Sequence, residues 1–129
     1  MTHVRLPVVV LLLTVMLAAG CGYVLQGAPR LVSPPNGSTR PCFTDPAGGW
    51  IFTWTAVPNA ITYVFQIYDN VSGVLEWQNV VSGEPPDTTA QLPGSAALCG
   101  RVFRWRVGAT FTGNTAPTWS EFWTVTTLP

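Results

Sequence analysis

Apolar and polar residues alternate along most of this chain, and turn-forming residues cut the alternation into short runs. Trp50-Ile51-Phe52-Thr53-Trp54-Thr55 carries aromatic side chains at 50, 52 and 54. Ile61 to Tyr68 places Ile61, Tyr63, Phe65 and Ile67 on one side. Val74 to Val81 alternates more weakly, and Thr88 to Leu92 is short. Val102 to Ala109 sends Phe103, Trp105, Val107 and Ala109 one way and Arg104 and Arg106 the other. The last run, Ser120 to Thr127, turns Trp123 and Val125 inward. Period two is the signature of a strand with one buried face. Between the runs stand Pro34-Pro35-Asn36-Gly37-Ser38, Asp45-Pro46-Ala47-Gly48-Gly49, Pro58-Asn59-Ala60, Asp69-Asn70-Val71-Ser72-Gly73, Gly83 to Asp87 and Thr112 to Pro117. These are turn chemistry. The pattern predicts an all-β fold of about seven short antiparallel strands packed as a sandwich. Trp54, Tyr63, Phe65 and Trp105 are expected at the shared centre of the two sheets.

The N-terminus follows a different rule. Arg5 and the amino group precede an unbroken apolar stretch, Leu6 to Ala19. A spanning helix needs about 20 apolar residues. This stretch is shorter, and its length and flanks suit a secretory signal. An ordinary N-terminal membrane anchor is the competing reading. Small residues close the run: Leu17-Ala18-Ala19-Gly20-Cys21. This string resembles the lipobox of bacterial lipoproteins, with Ala18 where Leu is commoner. The resemblance implies cleavage before Cys21, diacylation of its thiol and acylation of the new amino group. Two or more acyl chains give stable anchoring where one is marginal. Gly22, rather than Asp, implies the outer membrane if the bacterium has one. Residues 1–20 are then a signal peptide, 21–28 a short lipidated tether and 29–129 the domain.

Composition narrows the functions open to that domain. The chain has 129 residues, 12 Gly, 12 Pro and 9% charged residues. Its one histidine is His3, inside the signal peptide, and lysine is absent. After Cys21 there remain Arg30, Arg40, Arg101, Arg104 and Arg106 against Asp45, Asp69, Glu76, Glu84, Asp87 and Glu121. That near-neutral balance offers no footprint for nucleic acid. Without His or Lys there is no Ser-His-Asp triad and no Schiff base. Nucleotide-binding glycine motifs are missing. Most of the acids fall in turns and read as solvated charges, so neither a glycosidase pair nor a calcium loop is expected. No cofactor or metal is implied, and the chain reads as a non-enzyme. Asn36-Gly37-Ser38 and Asn70-Val71-Ser72 fit glycosylation acceptors, a reading that lapses in a bacterium.

Three cysteines are present. If Cys21 takes lipid, Cys42 and Cys99 are left in a disulfide-permissive compartment. One bond between them would close a long loop and stabilise by about 4 kcal/mol in the chain-entropy model. Two free thiols remain the alternative, as does a metal pair, although two sulfurs are a poor zinc site.

FTWTAVPNAITYVFQIYD resembles strands B and C of fibronectin type III-like domains, with Trp54 at the B-strand tryptophan. LPGSAALCGRVFRWRVGA resembles their E–F corner and F strand, TWSEFWTVTT the G strand, and PRLVSPPNGST strand A of bacterial surface versions. The likeness spans residues 29 to 128. Phe103 stands where that family often has Tyr, and most members lack the cysteine pair. The family's topology implies that Cys42, before B, and Cys99, before F, lie at one end of the sandwich. Their bond would pin the A–B loop to the E–F corner.

Aromatic residues outnumber what the inward faces need. Tyr68, Trp77, Phe111, Trp119 and Phe122 are left on opposite faces, edges or loops. Of these, Tyr68, Trp77, Trp119 and Phe122 are the candidate binding residues. The expected role is a lipid-anchored binding or adhesion module of the cell envelope, recognising protein or carbohydrate. The competing role is an assembly subunit that pairs through a sheet edge. A sugar site calls for coplanar exposed rings, and an assembly site for an exposed apolar edge strand.

Overall fold

The computed structural model describes residues 27–83, 85–114 and 116–129. The expected signal peptide, Cys21 and most of the expected tether therefore lie outside the described residues.

Nine strands make up the described chain: β1 Leu31–Ser33, β2 Ser38–Arg40, β3 Gly49–Trp54, β4 Thr62–Asp69, β5 Leu75–Val81, β6 Thr89–Pro93, β7 Val102–Thr110, β8 Thr118–Trp119 and β9 Trp123–Thr127. They form a β-sandwich. One sheet has the order β1-β3-β6; the other has β2-β9-β7-β4-β5, with β8 also paired to β7. The excess over seven strands comes from both ends of the chain. Strand A divides into β1 and β2, which join different sheets across the Pro34–Gly37 turn. Gly37 N–H donates to the Thr124 carbonyl at 2.8 Å, and the Asn36 side chain accepts from Thr124 N–H at 2.8 Å. These bonds deliver β2 to β9, and the two pair in parallel. All other strand pairs are antiparallel.

The core is aromatic, as the alternation demands. Trp50, Phe52 and Trp54 of β3 face Tyr63, Phe65 and Ile67 of β4 and Phe103, Trp105 and Val107 of β7, all buried. Phe52 and Trp105 meet edge to face at 4.9 Å, and Trp54 and Tyr63 at 5.6 Å. Edge-to-face contacts of this kind add to the stabilisation from area alone. The Tyr63 hydroxyl accepts from Val57 N–H at 2.7 Å, so its polar tip is satisfied.

Three expectations need correction. Ile61 precedes β4 and is 48% exposed, since its backbone N–H bonds to Thr110 outside the alternating run. Phe111, expected as a surplus ring, is 4% exposed and belongs to the core. Asp69 is the last residue of β4 rather than a solvated turn charge, and it is 9% exposed.

Cys42 and Cys99 form a disulfide with Cα atoms 5.3 Å apart. Cys99 follows a 3-10 turn, Ala96–Leu98, just before β7, and Cys42 follows β2. Trp50 Nε1 donates to the Pro41 carbonyl at 2.9 Å, holding the segment beside the bond against β3.

Candidate functional site

Among the described residues the core encloses little space. A void lined by Trp50, Phe52, Leu92 and Phe103 measures about 10 Å³, roughly one water. Larger hollows, about 310 Å³ beside Phe43 and Trp50 and about 520 Å³ beside Arg30 and Trp123, open widely to solvent. Among the described residues no cluster of His, Cys, Asp and Glu is placed to hold a metal.

The outer face of the six-stranded sheet is different. Directly paired residues point to the same side of a sheet. Tyr68 of β4 pairs with Arg104 of β7, Gln66 with Arg106, and Gly108 with Trp119 of β8. Because Phe65, Ile67, Phe103 and Trp105 fill the core, these partners all face out. Phe122, next to inward-facing Trp123, points the same way, and a slip in pairing puts Trp119 on its side. Gly108 pairs with Trp119, yet Trp105 pairs with Trp123, so the segment between holds one residue more than β7 does. Such a bulge re-aims side chains. It lets Trp119 as well as Phe122 face outward while Trp123 and Val125 turn in.

Rings and guanidiniums then alternate. Arg106 lies over Trp119 at 3.9 Å and over Phe122 at 4.8 Å. Arg104 lies 5.2 Å from the Phe122 centroid and 5.4 Å from that of Tyr68. Tyr68 and Phe122 meet at 5.8 Å with planes 80° apart. Beneath them Gln66 ties the row together. Its Oε1 accepts from the Tyr68 hydroxyl and from Arg106 Nε, each at 3.0 Å, and its Nε2 donates to Gln78 at 2.7 Å. Among the described residues neither Arg104 nor Arg106 pairs with a carboxylate; the ion pairs belong to Arg101.

Arg101 binds Asp69 at 2.7 Å and also Glu76. Asp69 accepts further from Val71 and Ser72 backbone N–H groups at 2.8 and 2.7 Å. The Ser72 backbone bond and the Arg101 guanidinium hold its carboxyl well below the ordinary carboxylate range. Asp69 and Glu76 raise the Arg101 pKa in return. This triad fixes the β4–β5 turn to the start of β7.

Three of the four candidate binding residues, Tyr68, Trp119 and Phe122, thus share one patch. Trp77 does not. It pairs with Ile67, so it faces the inner side of edge strand β5 and covers the rim at 36% exposure. The geometry also departs from a sugar platform. Tyr68 and Phe122 are nearly perpendicular, and Trp119 is covered by Arg106 on one side and packed on Gly108 on the other. Arg104 and Arg106 are the residues that sequence reasoning placed on the outer face but did not count as part of a site. Two arginines alternating on the polar side of a strand were the available signal.

No family model and no curated protein matches this chain.

Proposed function

We propose that the protein is a non-catalytic recognition module of a bacterial cell envelope, anchored by lipid on Cys21, that binds a partner through the outer face of its six-stranded sheet. One observation carries the recognition part: the row Trp119, Arg106, Phe122, Arg104 and Tyr68, in which cations that pair with no described carboxylate are set among partly exposed rings. Aromatic residues and arginine dominate the energetics of protein interfaces. The crossed rings favour a protein partner over a carbohydrate. The lipobox resemblance supports the anchor, and the fibronectin type III resemblance suits a domain used as a scaffold for surfaces.

The test uses full-length protein extracted from membranes. Intact mass should show residues 1–20 removed and Cys21 acylated; an uncut, unlipidated Cys21 refutes the anchor. Phe122 is 40% exposed, so Phe122→Ala should keep the melting temperature within about 4 °C of wild type. The same variant should lose binding to a cell-envelope fraction. Unchanged binding refutes the face.

A specific observation favours the second reading, assembly through a sheet edge. Among the described strands β5, Leu75–Val81, pairs with β4 alone, and it carries neither Lys nor Pro. Leu75, Trp77 and Val80 on it are exposed. Natural edges are usually guarded against pairing. Val80→Lys should then abolish association while sparing the fold, read by sedimentation.

A further inference from the structure

We infer that the partner of the outer face is an extended, acidic peptide segment whose alternating carboxylates seat on Arg104 and Arg106. The inference rests on the recognition reading above and gives its partner a chemistry.

Charge is the first argument. Asp69 and Glu76 are engaged by Arg101. Arg104 and Arg106 keep their positive charge on a face where no described carboxylate answers it. A guanidinium carries five N–H donors in a planar fork that matches a carboxylate. Arg106 gives its Nε–H to Gln66, and among the described residues Arg104 gives none of its donors to protein. Among the described residues the terminal nitrogens of both donate to no protein acceptor, and both side chains are partly exposed.

Preorganisation is the second. Arg106 is held over Trp119, and Arg104 stands beside Tyr68 and Phe122. The freedom of these long side chains is reduced by folding, so binding has less of it to remove.

Spacing decides the form of the ligand. Arg104 and Arg106 sit two residues apart on one side of β7. At about 3.4 Å per residue, their Cα atoms lie roughly 7 Å apart along the strand. An extended peptide repeats its own side chains at the same interval. Acids at every second position therefore meet both arginines in register, with the residues between them turned away from the sheet.

The experiment is fluorescence anisotropy of a labelled peptide alternating Asp with Thr, titrated with the full-length protein in detergent. The control peptide carries Asn for Asp. The expected result is binding to the Asp peptide about tenfold or more tighter than to the Asn peptide, as two charge-assisted contacts require. Added salt should weaken it. Arg104→Gln with Arg106→Gln should erase the preference, and the corresponding double Lys variant should restore part of it. Equal affinity for the two peptides overturns the inference, as does a preference that survives in a folded double Gln variant. Tighter binding to polygalacturonate than to the Asp peptide also overturns it, in favour of an acidic polysaccharide. If the double Gln variant fails to fold, the Asp-to-Asn exchange on the unaltered protein still decides. The two readings fail separately. Indifference to the Asp peptide, with envelope binding still sensitive to Phe122→Ala, removes only the acidic-peptide assignment; loss of both removes the recognition face.

Discussion

A Cβ at Gly108 would stand 2.7 Å from Pro117 Cβ and 2.9 Å from Trp119 Cε3. The absence of a side chain is what seats the Trp119 indole on the sheet, with Arg106 above it. Gly108→Ala should push the indole outward and cost about 1–3 kcal/mol, the usual range for overpacking; chemical denaturation measures it. Asp69 makes a second argument at this scale. Its folded-state pKa is lowered, so its contribution to stability is complete above the ordinary value of 3.8 and is lost progressively as pH falls below it. Urea midpoints taken from pH 6 down to pH 2 should fall in the wild type. Asp69→Asn should start lower at pH 6 and fall less. In the sequence Asp69 looks like a turn charge because its partner is remote: Arg101 lies 32 residues away, and only the packing of β4 beside β7 brings them together.

Strands were legible where alternation was strong. The runs read as 50–55, 61–68 and 102–109 became β3, β4 and β7 with shifts of a residue at their ends. Trp54, Tyr63, Phe65 and Trp105 are all buried, as the period-two faces require. Trp54→Ala should therefore cost about 3–5 kcal/mol in equilibrium unfolding. β2 and β8 were not legible. Each has only two or three residues, none fully buried, and exists through its partner. Ser38 pairs with Val125, far along the chain, and no local pattern encodes that. The bulge before β9 was equally hidden. A single inserted residue reverses the facing of everything upstream of it, and it is what brings Trp119 to the side where Phe122, Arg104 and Arg106 already point.

At the scale of the whole molecule, the expected export of the chain and its resemblance to fibronectin type III-like domains point to the cysteine pair, and the structure supplies the bond. It joins two residues separated by 57 positions. Replacing Cys42 and Cys99 together by Ser should cost about 2–5 kcal/mol, checked by thermal and chemical unfolding. The same bond governs what happens under tension. A pull on the chain ahead of Leu31 acts first on β1 and β2, two three-residue strands that peel from β3 and β9. The peeling stops at Cys42, which is tied to Cys99 at the head of β7. About 40 Å of chain, some 3.5 Å for each of residues 31–41, is freed before that stop, less the distance it already spans in the fold. Beyond it the force passes through a covalent bond rather than through β3. A domain tethered at its N-terminus would thus lengthen its reach under strain while its sheet face keeps its shape.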